Sequence, residues 1–327
     1  MKKAIPWGLA AAGVFGASAV AAQQAADFPN KPVRILVGYQ PGGAADLVSR
    51  LVAKGLGEKF NQTVVVDNRS GAGGFIANEI TAKALPDGYT LLLANSSFAY
   101  IPAMFAGKKL NFDVRKDYIP VALVATTQNL LAVSPNVTAK SVTELIAFAK
   151  ANPGKLSYAS GGIGGSTHLS TELFKSMTGT DIVHIAYKGN GPSITDLMSG
   201  QVDLTIAPLP ALLPFVTSGR LKALGTSGSK RSPLFPSLPT IAESGVPGYD
   251  AGSWYGYMAP ARTPPAIVNK LSGEMIALLN QPKFLEDLQK TIGAEASGLS
   301  SPKFAEFVAL ETEKWGKVIR TTGIKGE

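Results

Sequence analysis

Two glycine-rich loops hold the residues of this sequence best suited to chemistry. The first is Pro41-Gly42-Gly43, and the second is Ser160-Gly161-Gly162-Ile163-Gly164-Gly165-Ser166. Each sits between an apolar run that reads as a strand and a periodic run that reads as a helix. Such a junction exposes backbone N–H groups at a helix N-terminus, where the helix dipole adds roughly half a positive charge. An anion is the natural occupant. The plainer reading is that the glycines only make tight turns. Two such loops at matched positions favour binding, because ligands of open α/β sheets lie beyond the carboxyl ends of strands.

Other chemistries fail on residue identity. Gly162-Ile163-Gly164-Gly165-Ser166-Thr167 has Thr where a dinucleotide fingerprint needs its last Gly, and Gly71-Ala72-Gly73-Gly74-Phe75-Ile76 fails likewise. Neither loop carries the Gly-Lys-Ser/Thr of a nucleotide phosphate loop. Gly191-Pro192-Ser193-Ile194-Thr195 lacks the last Gly of a hydrolase nucleophile elbow. With no cysteine, thiolate metal sites and Cys nucleophiles are excluded. His168 and His184 are sixteen residues apart in different elements, which argues against a metal. His168 follows the second loop and either points at a ligand or packs as a cap. His184 alternates with Val183 and Ile185 and reads as structural. Asp46 either braces the first loop or touches a ligand directly. Trp254 and Tyr255 either pack a hinge or wall a cleft.

The elements that must position these loops follow from periodicity. Strands are expected at 33–39, 64–66, 89–94, 130–133, 156–159, 182–187 and 202–207. Helices are expected at 44–60, 141–151, 166–178 and 192–199, then at 266–279, 282–291 and 302–321. Ser141 with Glu144 three residues on forms a capping box. Strand, helix, strand with short loops indicates parallel α/β sheets. The Ser, Pro and Gly of 227–248 read as a surface crossover.

The chain has 327 residues, 45% hydrophobic and 17% charged, with formal net charge +8. These values predict a folded chain of about two domains and exclude disorder. Residues 1–22 combine Lys2 and Lys3 with an uncharged apolar stretch and a small-residue exit at Ala19 to Ala22. They read as a secretory leader, cleaved between 21 and 26. Export, with no later membrane span, is the expectation.

The sequence resembles the extracytoplasmic receptors of the tripartite tricarboxylate transporter system, often called Bug receptors. The matching stretches run in order along nearly all of the chain after the leader. They include Phe28-Pro29-Asn30-Lys31-Pro32-Val33-Arg34, Pro41-Gly42-Gly43-Ala44-Ala45-Asp46, Val65-Val66-Asp67-Asn68-Arg69-Ser70-Gly71 and Pro86-Asp87-Gly88-Tyr89-Thr90. Ala151-Asn152-Pro153-Gly154-Lys155-Leu156, Ser166-Thr167-His168-Leu169, Gly200-Gln201-Val202-Asp203 and Leu238-Pro239-Thr240-Ile241-Ala242-Glu243 continue the series.

The resemblance implies an α/β, two-lobed periplasmic binding protein of type II, each lobe a sheet flanked by helices, with two chain crossovers. One lobe would hold 27–126 plus 251–327, the other 127–250. It also implies a small organic carboxylate ligand, membrane transporter subunits as partners, a monomer, no cofactor, no metal, no nucleic acid and no catalysis. Tyr39, Gln40, Gly42, Gly43, Ala44 and Asp46 would serve from the first loop. Gly161, Gly164, Gly165, Ser166, Thr167 and His168 would serve from the second. Asn95, Ser96, Gln128, Asn190 and Asp203 would take the rest of the ligand. Gln40 and Ile206-Ala207-Pro208 depart from the usual family pattern. The rival classes are a periplasmic enzyme acting on an organic acid, for which no nucleophile motif is found, and a ligand-presenting sensor.

Overall fold

The computed structural model describes residues 27–71, 74–187 and 189–326. The leader expected at 1–22 lies outside the described residues.

Two sheets form. Strands β1 (Val33–Val37), β2 (Val64–Asn68), β3 (Thr90–Asn95) and β4 (Tyr118–Thr127) join β10 (Ser253–Pro260) and β11 (Glu295–Ser300) in the order β11-β4-β10-β3-β1-β2. Strands β5 (Asn129–Val133), β6 (Ser157–Ser160), β7 (Val183–Ala186), β8 (Leu204–Pro208) and β9 (Lys222–Thr226) form the second sheet, β7-β6-β8-β5-β9. β1 pairs in parallel with β2 and β3, and β6 with β7 and β8. β1 and β5 are almost wholly buried, so they read as continuous apolar runs rather than alternating ones.

Helices α1 (Ala44–Phe60), α2 (Phe75–Ala82), α3 (Ser96–Met104), α8 (Pro265–Leu278), α9 (Pro282–Ile292) and α10 (Ser301–Thr322) accompany the first sheet in sequence. Helices α4 (Val142–Ala151), α5 (Ser166–Thr178), α6 (Asn190–Ser199) and α7 (Leu209–Thr217) accompany the second. α1 and α5 have the limits expected from periodicity. Ser141 caps α4, its Oγ accepting from the Glu144 N–H at 3.1 Å. The box does not close in the usual way, because the Glu144 carboxylate accepts from the Lys140 N–H instead.

The chain passes from the first sheet to the second between β4 and β5, and returns between β9 and β10. The fully buried Asn129 binds the two crossings together. Its Nδ2 donates to Ala251 O at 2.7 Å and Ser170 Oγ at 2.9 Å, and its N–H donates to Ser227 Oγ at 2.8 Å. Ser170 lies one turn into α5, and its carbonyl accepts from the Tyr249 hydroxyl at 2.9 Å. The second glycine loop is therefore anchored to both crossings through a single turn of helix. Trp254 belongs to this junction, where it also borders a crevice beside Gln128. It is buried in β10, edge-on to Phe304 and Phe307 of α10, and its backbone N–H donates to Ser96 Oγ at 3.1 Å.

Replacing Asn129 with Ala removes the two Nδ2 bonds, to Ala251 O and Ser170 Oγ, and keeps the backbone bond to Ser227. Each unsatisfied buried partner costs about 1–3 kcal/mol. Calorimetry of N129A should show a clearly lowered melting midpoint. An unchanged midpoint would show that the crossings do not depend on this side chain.

Candidate functional site

The first loop begins where β1 ends. A Cβ at Gly38 would lie 2.7 Å from the Gly74 Cα, so the two backbones touch in a way only glycine permits. Gly42 has φ +87, and Gly43 is the N-cap of α1, at φ −78 and ψ 165 with no side-chain cap. The Gly42 N–H is not free, since it donates to Asp46 Oδ2 at 2.9 Å. Asp46 also receives Arg50 Nε at 2.9 Å and Asn68 Nδ2 at 3.0 Å. Burial alone would raise the Asp46 pKa, but these hydrogen bonds outweigh it and hold the carboxyl below its ordinary range. Asp46 is thus a brace for the loop. The remaining donors are those of the first helical turn, starting at Ala44, which have no intrahelical partner.

The second loop repeats this geometry in the other sheet. Gly165 is the N-cap of α5, at φ −72 and ψ 167, again with no side-chain cap. Most of the loop N–H groups turn inward. Gly161 donates to Thr167 Oγ1 at 3.0 Å, Gly164 to His168 Nδ1 at 2.9 Å and Gly165 to Gly162 O at 3.3 Å. The Thr167 and His168 side chains therefore shape the loop. Backbone donors are left at the start of α5, at Ser166 and Thr167.

His168 has a packing role in this structure. Its ring stacks on His184 at 4.0 Å and 12°, and His184 stacks on Tyr158 at 4.7 Å. His184 Nε2 lies 2.7 Å from Ser160 Oγ, at the root of the same loop. Burial, then the neighbouring His184, lowers the His168 pKa to about 4. Burial lowers that of His184 as well. Both rings are neutral at pH 7, and on His168 the Gly164 N–H bond requires a bare Nδ1.

The other sequence-predicted residues divide. Tyr39 and Asn95 join the first loop, with the Tyr39 hydroxyl donating to Asn95 Oδ1 at 3.0 Å. Burial raises the Tyr39 pKa, so the phenol stays protonated. Gln40 is exposed and donates to Ser70 Oγ at 2.8 Å. Asn190, at the start of α6, packs against Gly161. Three residues are not brought to the loops. Ser96 is buried and engaged by the Trp254 N–H. Gln128 Nε2 donates to Lys230 O at 3.1 Å and Glu295 Oε1 at 3.2 Å, in a separate crevice of about 260 Å³. Asp203 stands just before β8, at the end of the sheet opposite the loop that follows β6, and its carboxylate accepts from Ser157 N–H at 2.7 Å. Ile206 and Ala207 are core residues of β8 rather than pocket wall.

Periodicity gave no sign of Met104. The end of α3 carries it across to the second loop, where its methyl group fills the space that a Cβ on Gly164 would need. A helix on the first sheet's side thus meets the second loop through a flexible apolar side chain. A larger concavity of about 610 Å³ is lined by residues between 101 and 117 and holds none of the predicted site residues.

Two α/β sheets, two crossings and a glycine-capped helix from each define a two-lobed solute-binding fold. Residues 48–324 match the model of the tripartite tricarboxylate transporter family receptors. The chain belongs to this family. It is 38% identical to protein BugT of Bordetella pertussis over 319 residues, 97% of this chain and 98% of that one. Among solved structures, R. palustris Rpa4515 with adipate is 38% identical at TM-score 0.78, covering 91% of this chain and 99% of that one. MatC from Rhodopseudomonas palustris with bound malate is 29% identical at TM-score 0.72, covering 89% and 100%.

The histidine stack predicts a pH dependence. His168 titrates near 4 when folded and near 6.5 when unfolded. The unfolded chain therefore binds the proton first. The stabilisation is complete above pH ~6.5, falls as pH drops toward ~4 and levels off below. In H168Q, whose amide oxygen can accept the Gly164 N–H, denaturant melts should show a shallower slope across this window. Equal slopes in both proteins would remove His168 from the account.

Proposed function

We propose that this chain captures a small organic carboxylate between its two lobes in the periplasm and delivers it to a tripartite tricarboxylate-type membrane transporter. The observation that carries the reading is the pair of glycine N-caps at Gly43 and Gly165. They have nearly the same dihedral angles, no side-chain cap, and positions at the carboxyl ends of strands in different sheets. Each offers unpaired N–H groups and a positive dipole end to an anion.

The magnitudes are adequate. Each hydrogen bond to a charged group contributes about 1.5–3 kcal/mol net. Four or so, shared between the lobes, reach the roughly −8 kcal/mol of micromolar binding. A ligand that touches both loops only when they approach each other shifts the population toward the closed form. The closed surface is then what the transporter subunits recognise. Membership of the receptor family supports this reading, as do the adipate and malate of the two Rhodopseudomonas structures. The leader expected at 1–22 and the family both support a periplasmic location.

Calorimetric titration with mono-, di- and tricarboxylates tests it. Binding of at least one acid is expected. Silence toward every carboxylate, with tight binding of a sugar or a metal instead, would overturn the reading. The loop assignment has its own test. A Cβ at Gly43 meets only Gln40 O at 3.8 Å, and one at Gly165 only Gly162 O at 3.4 Å. Leu should therefore be accommodated by the fold at either position while covering the open donors. Gly43→Leu and Gly165→Leu should each lower affinity at least 100-fold, with melting midpoints little changed. Retained affinity in both would place the ligand elsewhere.

A further inference from the structure

The two loops account for one carboxylate and leave open what reads the other end of the ligand. The described residues 38–46, 95–97 and 160–168 contain no Lys or Arg. Recognition from these segments therefore falls to neutral groups.

Asn95 is distinctive among them. It ends β3, the strand beside β1, and it is only partly buried. Its Oδ1 accepts from the Ser97 N–H at 3.1 Å and lies 2.6 Å from the Ser97 hydroxyl and 3.0 Å from the Tyr39 hydroxyl. These two hydroxyls are 2.6 Å apart, so one donates to the amide oxygen and the other to its fellow hydroxyl. An amide held by its oxygen in this way has a fixed orientation, and flipping it would put donors against donors. No partner among the described residues takes up Nδ2. The hollow under Tyr39 that Asn95 helps to line measures only about 10 Å³. That is room for about one water, so a ligand group must meet the amide from the open side.

Resting on the carboxylate reading above, we propose that Asn95 is a specificity-determining residue. Its fixed NH₂ group donates to an acceptor at the far end of the ligand, which selects acids that carry a second carboxylate over those that end in a methyl group. The Tyr39 and Ser97 hydroxyls act through Asn95 by holding its oxygen.

Asn95→Asp isolates this role. Asp caps helices as well as Asn does, so one oxygen keeps the bonds from the Ser97 N–H and the hydroxyl pair while the donor becomes an anionic acceptor. Three probes of equal chain length are titrated by calorimetry: adipate, hexanoate and 6-aminohexanoate. The wild-type protein should favour adipate over hexanoate at least tenfold. In N95D that ratio should collapse by tenfold or more, and the ratio of 6-aminohexanoate to adipate should rise by at least as much. A purely structural role would instead weaken all three together and lower the melting midpoint, and that result would overturn the proposal. So would a wild-type protein with no preference between adipate and hexanoate, or unchanged ratios in N95D. If the wild-type protein binds none of the three and no other carboxylate, the carboxylate reading itself fails.

Discussion

A helix that starts on glycine with no side-chain cap leaves its first N–H groups to find partners elsewhere. Among the described residues α1, α2, α5 and α6 do so, and only α1 and α5 combine this with an extended cap at negative φ. The N-caps of α1 and α5 differ by only a few degrees in φ and ψ, although they belong to different sheets. Most helices satisfy one such donor with a Ser, Thr, Asp or Asn cap, worth about 1 kcal/mol. α4 does this with Ser141. Forgoing that stabilisation in two helices that start beyond strands of different sheets makes sense where an external anion completes both caps. The rest of the structure holds these two ends in place.

The surroundings show how a donor site is kept usable. An ionised acid one turn from an anion site is costly unless its charge is offset. Asp46 is buried and ionised, but Arg50 and Asn68 engage its oxygens from behind, and what reaches the loop is a shaped backbone rather than a bare charge. On the other side, two neutral stacked histidines replace what would otherwise be a cationic anchor. Neutrality lets His168 accept the Gly164 N–H and keeps the loop rigid without competing for the ligand. Asn129 carries this rigidity to the crossings, since α5 is bonded to both through Ser170. The position of the second loop is thus tied to the two crossings.

Much of this was legible in the sequence, and the gaps have physical causes. The limits of α1 and α5 follow from regular apolar spacing and from the glycines before them. β4 was missed because Pro120 interrupts a strand buried on both faces. The ladder tolerates that proline at a register shift between Tyr257 and Met258. α3 and α7 carry Pro102 and Pro214 in their interiors, where periodicity predicts a break. The glycine loops announced the site, but which of their N–H groups point outward was not readable. That depends on Asp46, Thr167 and His168 folding back onto the loop. Asp203 was expected in the pocket because it lies in a family motif, yet it stands at the wrong end of its strand. Met104 left no signal, because its contact with Gly164 joins segments sixty residues apart.

The most direct measurement follows backbone amides by NMR in the ¹⁵N-labelled, deuterated protein during titration with adipate. The account predicts that the amides of Ala44 and Ser166, one at each helix N-terminus, shift downfield together along a single binding curve. Saturable binding in which neither amide moves, or in which only one loop responds, would contradict a carboxylate held between two glycine-capped helices.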